Sequence, residues 1–243
     1  MTAARPRVLI PARFSASASA LRFRAEVSAR ALVEAVYDAG GEPLTVHPTE
    51  ERLRVPELDD RFRFADALLL PGGGDLHPQL YDGQHHETLY DVDVVQDRFD
   101  LALTDWALTT RRPVLAICRG LQVVNVKLGG TITAHMDDPH RHLVSELDLD
   151  PGAVLTDLVG SRRLSISCYH HQCLATLGDG LRPVPHGSDG TIEAVELAGR
   201  GWFVGVQWHP EDTAHQDQHQ ARIFAGLVQA ACRHRDARGA LRA

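Results

Sequence analysis

Four apolar residues, Val114-Leu115-Ala116-Ile117, run without a spacer into Cys118, and the residues after it are spaced as a helix. Pro113 and the pair Arg111-Arg112 bound the run on its other side, so it reads as a short buried strand. Apolar positions between 121 and 128 recur at helical spacing and stop at Gly129-Gly130, a helix-end signal. A strand passing straight into a helix leaves only a sharp turn between them, and Cys118 occupies it. This is the arrangement of a nucleophile elbow, with the side chain raised above the sheet edge at a helix N-terminus. The helix dipole favours negative charge there, and the thiolate is the nucleophilic form of cysteine. The plainer alternative is a small core residue, since free cysteine is among the most buried types. The rest of the chain decides between them.

Strands alternate with helices from the N-terminus onward. Residues 7–11 and 43–46 read as strands, and residues 66–70 as a third that runs into Pro71-Gly72-Gly73-Gly74-Asp75. Residues 23–39 read as an amphipathic helix stopped by Gly40-Gly41, and residues 93–109 as a second helix. Residues 15–20 and 77–91 are expected loops, and the charged stretch 50–63 an irregular surface connection. Further on, residues 131–133, 143–149 and 164–167 read as extended. Residues 192–197 and 202–206 form an expected hairpin around Gly199-Arg200-Gly201. Residues 223–232 close the chain as a helix, with 233–243 a flexible tail. Alternation of this kind predicts an α/β fold, a mainly parallel central sheet with helices on both faces, and 243 residues are enough for one large domain or two small ones.

Charge excludes some functions. The 25 Lys and Arg against 32 Asp and Glu give a net −7 over 243 residues, the wrong sign for a nucleic-acid surface. No apolar stretch has membrane length, and the four cysteines, Cys118, Cys168, Cys173 and Cys232, make no disulfide framework. A cytoplasmic protein without nucleic-acid or membrane partners is expected. The glycine run is either a flexible turn or a backbone anion site, because residues without Cβ let successive N–H groups converge. It lacks the lysine of a nucleotide P-loop. His135, His140 and His142, near Asp137 and Asp138, carry metal-ligand chemistry but match no zinc-motif spacing. Neither a metal nor a cofactor is expected.

Three strand ends now stand together: a glycine run, a cysteine at an elbow, and His209 with Glu211 two residues on. In open α/β sheets such ends gather at one edge. Acyl transfer by cysteine needs a thiolate, a base that also protonates the leaving amine, an orienting group and an oxyanion hole. The blocks Pro71–Asp75, Ile117-Cys-Arg-Gly-Leu-Gln122, Tyr169-His-His-Gln172, Asp189-Gly-Thr-Ile-Glu193 and Gly205-Val-Gln-Trp-His-Pro-Glu211 resemble those of class I glutamine amidotransferase-like domains. The chain is most similar to the stand-alone γ-glutamyl hydrolases of the peptidase C26 group, which cleave γ-glutamyl-γ-aminobutyrate or γ-glutamyl-polyamines.

The resemblance implies a flavodoxin-like three-layer sandwich, in one domain spanning residues 1–243. It implies Cys118 as nucleophile, His209 as proton carrier and Glu211 as the orienting acid. It implies an oxyanion hole from the backbone N–H groups of Gly73 or Gly74 and of Arg119. It implies that Gln122, His170, His171 and Gln172 face the glutamyl group. A small γ-glutamyl substrate and a homodimer follow from the same likeness. The alternatives are a glutaminase subunit feeding a separate synthetase, and a non-catalytic binding protein on the same fold. Three positions depart from the family pattern: Ala116 where glycine is frequent, His77 where asparagine is usual, and Gln96 where arginine is usual. The last two bear on substrate identity.

Overall fold

The computed structural model describes residues 4–19, 21–184, 189–199 and 201–240. The middle of the expected 199–201 turn, the last residue of the expected 15–20 loop and the end of the expected tail lie outside them. Strands β1 (Arg7–Pro11), β2 (Arg13–Ser15) and β3 (Ala25–Val27) precede helix α1 (Arg30–Asp38). Then come β4 (Glu42–Val46), α2 (Val55–Phe62), β5 (Ala67–Leu70), α3 (Val94–Thr109), β6 (Val114–Ile117) and α4 (Arg119–Lys127). The second half holds β7 (Thr131–Thr133), β8 (His140–Asp148), α5 (Val154–Val159), β9 (Arg163–His170), β10 (Cys173–Thr176) and β11 (Leu181–Pro183). It ends in β12 (Ala194–Leu197), β13 (Phe203–Val206) and α6 (Gln218–Ala240).

Seven strands form the central sheet in the order β11-β12-β13-β6-β5-β1-β4. The five from β13 to β4 run parallel, and β11 and β12 are antiparallel additions at one edge. Successive strand residues face opposite sides, and this divides the core in two. Val8, Ile10, Leu115 and Ile117 pack with Leu32 and Val36 of α1 and Phe224 and Leu227 of α6. Leu9, Leu68, Val114 and Ala116 pack with Leu58 and Phe62 of α2, Phe99 and Trp106 of α3 and Leu121 of α4. The expected helix–sheet–helix layering is what the molecule has.

Parallel register brings the chemistry to one edge. Leu70 lies opposite Ala116, and Val206 opposite Ile117. The residues just beyond these positions, the glycine run, Cys118 and Gln207 to His209, therefore emerge side by side. Outside the sheet, β8 and β9 form a long antiparallel ribbon that sets His140 opposite His170, with a register shift between Arg141 and Leu143.

Several elements differ from expectation. The 23–39 helix begins only at Arg30, because residues 25–27 pair with Arg13–Ser15 as a hairpin, and strand pairing overrides local helical spacing. The stretch 50–63 contains α2, with a proline in its first turn, a reciprocal Arg54–Glu57 cap, and Leu58 and Phe62 buried one turn apart. The tail expected from residue 233 is instead helix through Ala240. Arg235 donates to the Ala4 carbonyl oxygen (2.6 Å) and Arg238 to that of Arg63 (2.8 Å), so the last turns are docked. Among the described residues, no helix is long and apolar enough to cross a membrane.

Candidate active site

Cys118 has φ 50° and ψ −109°, a conformation an L-residue holds only when its surroundings impose it. Its N–H donates to the Val206 carbonyl oxygen (2.8 Å), and α4 starts at the next residue. The turn is this tight because Gly120 lies against the end of β5. A Cβ built there would stand 2.2 Å from the Leu70 carbonyl oxygen. Cys118 is 7% exposed and opens onto a cleft of about 850 Å³ that His209 and Gly73 also line.

His209 follows β13, and its own N–H is tied to the Ser167 carbonyl oxygen (2.9 Å). Pro210 starts a 3-10 turn that folds Glu211 back, so that His209 Nδ1 and Glu211 Oε1 are 2.8 Å apart. A carboxylate only accepts, so Nδ1 carries the hydrogen and Nε2 is left for the thiol side. Burial alone would lower the His209 pKa. The Cys118 thiolate charge and hydrogen bond, with the Glu211 carboxylate, outweigh burial and hold it well above the ordinary imidazole value. Gln207 is fully buried and directs Nε2 at Cys118 Sγ (3.6 Å). Its Oε1 lies 3.4 Å from Gln122 Nε2.

The glycine run is held from behind. Arg13 Nε donates to the Gly72 carbonyl oxygen (2.7 Å) and Arg13 Nη2 to that of Pro71 (2.6 Å). In a trans peptide the N–H points opposite to the C=O, so the Gly73 N–H points away from Arg13. Arg119 N–H begins α4 and has no intrahelical acceptor. Arg13 also reaches Asp100 (2.8 Å), and the buried Arg119 guanidinium joins Asp97 (2.6 Å) and Asp100. Burial brings the Arg13 pKa down to about 10, against the pull of Asp100. Burial works the same way on Arg119, but Asp100 and Asp97 together leave it raised.

A second buried pair flanks the thiol. His171 Nε2 lies 3.0 Å from Asp75 Oδ2, which also accepts from the Tyr90 N–H (3.0 Å). Burial pushes both towards neutrality, the Asp75 carboxyl up and the His171 imidazole down. Gln122, His170, His171 and Gln172 line a narrow recess beside Cys118, Gly73 and Arg119. His170, however, turns its ring nitrogens to the Gln172 carbonyl oxygen (3.0 Å) and towards Glu193.

Gln96 lines the cleft and donates to the Ala12 carbonyl oxygen (2.7 Å), whereas His77 caps the 3-10 turn Pro78–Tyr81. The three histidines of the 135–142 segment part company. His135 meets His171, His142 packs on Tyr169, and His140 turns inward to Asp189 and Glu193. Arg13, Asp97, Asp100 and the side chain of Gln207 were given no role by sequence reasoning. Gln207 lies within the 205–211 block that carries the family likeness. The others have no local signal, because they act across the sheet.

The chain matches the peptidase C26 family over residues 10–211. A Schizosaccharomyces pombe protein, described provisionally as a glutamine amidotransferase, is 31% identical over 208 residues, covering 81% of this chain and 79% of its own. The γ-glutamyl-γ-aminobutyrate hydrolase PuuD of Escherichia coli is 28% identical over 221 residues, covering 83% of this chain and 85% of its own. Among solved structures, a Thermoplasma acidophilum chain described provisionally as a GMP synthase component superposes with a TM-score of 0.68 at 14% identity. The match covers 97% of this chain and 98% of that one, and it bears on fold alone.

Proposed function

This chain belongs to the peptidase C26 family, and we propose that it hydrolyses the γ-glutamyl amide bond of a small γ-glutamyl-amine conjugate, releasing glutamate and the amine. A conjugate of the γ-glutamyl-γ-aminobutyrate or γ-glutamyl-polyamine type is the reading closest to the activity for which the E. coli relative is named. The observation that carries the proposal is the approach of Cys118, His209 and Glu211 from two neighbouring strand ends, with the Nδ1–Glu211 contact at 2.8 Å.

In this reading the Cys118 thiolate attacks the γ-carbonyl carbon. The oxyanion is met by the N–H groups of Gly73 and Arg119, with Gly74 beside them. The imidazolium of His209 gives its proton to the departing amine, leaving a γ-glutamyl thioester. The neutral ring then takes a proton from water, which attacks the thioester, and Cys118 leaves as the thiolate, restoring the thiolate–imidazolium pair. Glu211 fixes the ring's orientation and supports its charge. Gln122, His171 and Gln172 hold the glutamyl end, His170 shapes the recess, and Gln207 steadies the sulfur through its amide N–H.

The test is glutamate release from γ-glutamyl-γ-aminobutyrate, γ-glutamyl-putrescine, glutamine and a γ-glutamyl peptide, with Cys118→Ser alongside. Cleavage of an amine conjugate that the variant abolishes supports the proposal. Cleavage of glutamine alone would replace it with an ammonia-supplying role. No cleavage together with no labelling of Cys118 by an electrophilic glutamine analogue would replace it with a binding role.

A further inference from the structure

Four side chains next to the active site converge, and none of them meets the reacting atoms in the reaction above: His140, Cys168, His170 and Glu193. One ligand atom from each lies within 4.8 Å of all the others. The topology explains the meeting. The β8–β9 ribbon sets His140 directly across from His170. Cys168 is two residues before His170 on β9, hence on the same inward face. Glu193 arrives from the residue preceding β12. The Glu193 and His170 side chains are each 2% exposed and that of His140 12%.

Hydrogen bonding leaves this cluster unfinished. The Gln172 carbonyl oxygen can only accept, so His170 Nδ1 carries the ring hydrogen (3.0 Å). In the neutral ring, Nε2 then turns a lone pair toward the Glu193 carboxylate, 3.7 Å away. Both His170 Nε2 and Glu193 Oε2 are buried with no hydrogen-bond partner among the described residues. A lone pair facing a carboxylate in a buried site calls for a cation between them, a proton or a metal ion. His140 is prepared in the same sense. Its Nε2 lies 3.0 Å from Asp189 Oδ2 and its Nδ1 3.1 Å from Glu193 Oε1, so a charged ring donates to both carboxylates, and a metal ion would take the place of the Nδ1 proton while Asp189 keeps the other. A histidine backed by a carboxylate or a carbonyl is the usual support of a metal ligand.

From this geometry we propose that His140 Nδ1, His170 Nε2, Cys168 Sγ and a Glu193 carboxylate oxygen bind one zinc-class divalent cation in tetrahedral coordination. Metal–nitrogen and metal–oxygen bonds of about 2.0–2.1 Å imply ligand–ligand edges of about 3.3 Å in a tetrahedron. The two measured edges to Glu193 Oε1, 3.1 and 3.7 Å, bracket that value. Charge balances as well: one thiolate, one carboxylate and two neutral rings cancel a dication. Binding releases the Cys168 thiol proton and the His140 Nδ1 proton to solvent. A bound ion would pin β8, β9 and the start of β12 to one another, immediately behind the Tyr169–Gln172 segment.

The test uses the full chain carrying Cys118→Ala, so that the active-site thiol cannot contribute. The protein is stripped with chelator and titrated with zinc chloride and, in parallel, cobalt chloride. One zinc per chain, a raised Tm, and a cobalt complex with a thiolate charge-transfer band and intense visible bands are expected. Cys168→Ser should remove the charge-transfer band and weaken zinc about 10-fold or more. Glu193→Gln should weaken binding with the band retained. If Cys168→Ser does not fold, X-ray absorption of the zinc-loaded chain reads the same point, with one sulfur neighbour expected. Substoichiometric zinc, a cobalt complex without the band, a zinc shell without sulfur, or a band surviving in Cys168→Ser would each overturn the proposal. Glutamate release enters none of these readouts, so they stand apart from the hydrolase proposal.

Discussion

Arg13 never meets the scissile bond in the proposed reaction, yet its replacement should cost the reaction dearly. Three contacts define its role: Gly72 and Pro71 carbonyl oxygens at 2.7 and 2.6 Å, and Asp100 at 2.8 Å. Hydrogen bonds from a charged donor contribute about 1.5–3 kcal/mol each, so roughly 3–6 kcal/mol orients the two peptides of the glycine run. In Arg13→Gln, Asp100 keeps Arg119 as a partner. The remaining charge is not orphaned, and stability should fall by about 2–4 kcal/mol, short of the 3–5 typical of a broken buried pair. An oxyanion donor is worth about 2.7–4 kcal/mol in the transition state. Loosening the Gly72–Gly73 peptide should forfeit the lower part of that, a fall in kcat of about 100-fold at 1.36 kcal/mol per decade. The oxyanion exists only after attack, so KM should move less than about threefold.

The assay is steady-state glutamate release by a folded Arg13→Gln sample, with urea unfolding and the rate of Cys118 alkylation measured beside it. Alkylation should be nearly unchanged, because the thiol and His209 keep their contacts. A folded variant whose kcat stays within about threefold of the parent would refute the clamp. A loss confined to KM would make Arg13 a substrate contact, and a collapse of alkylation would move its action to the thiol.

Two further outcomes follow from the same geometry. In Glu211→Gln, one of the groups that raise the His209 pKa is lost while burial remains, so the value falls. The alkaline limb of kcat/KM should move to lower pH, with kcat down roughly 100-fold. The sign carries over to stability. A raised folded-state pKa contributes stability that is present below the ordinary imidazole value and lost as pH rises through the folded value. The variant should show a smaller loss of Tm across that range, and a limb and Tm profile identical to the parent's would contradict the assignment. Gly120→Ala asks for a Cβ 2.2 Å from the Leu70 carbonyl oxygen. Urea unfolding should show a loss of about 3 kcal/mol or more, and a change under 1 kcal/mol would mean that the elbow is not this tight.

What was legible in the sequence had local chemistry. Val114–Ile117 with Cys118 and Gly120 encodes strand, elbow and close approach within seven residues, and parallel pairing then carries His209 and Glu211 to the same edge. Helix α2 was legible in principle, since Pro56 and Glu57 are first-turn signals, but the charge density of residues 50–63 masked the buried pair Leu58 and Phe62. The 25–27 strand and the last turns of α6 were not legible, because each depends on a partner remote in sequence, residues 13–15 in one case and the carbonyls of Ala4 and Arg63 in the other.

The same distinction separates the proposed reacting groups from those that hold them. Cys118, His209 and Glu211 occupy turns whose sequences advertise them. Arg13, Asp97, Asp100 and Arg119 form a buried charge set assembled from the start of β2, the face of α3 and the first turn of α4. Read singly, Asp97 and Asp100 look like acids on an amphipathic helix, where the plain expectation is solvent. Both are fully buried. Burying two carboxylates is tolerable only because two guanidinium groups meet them there, and those same guanidinium groups belong to the residue after Cys118 and the residue behind the glycine run. The buried charges thus couple the two halves of the proposed oxyanion hole through Asp100. Asp100→Asn should therefore lower kcat even though it lies on neither half.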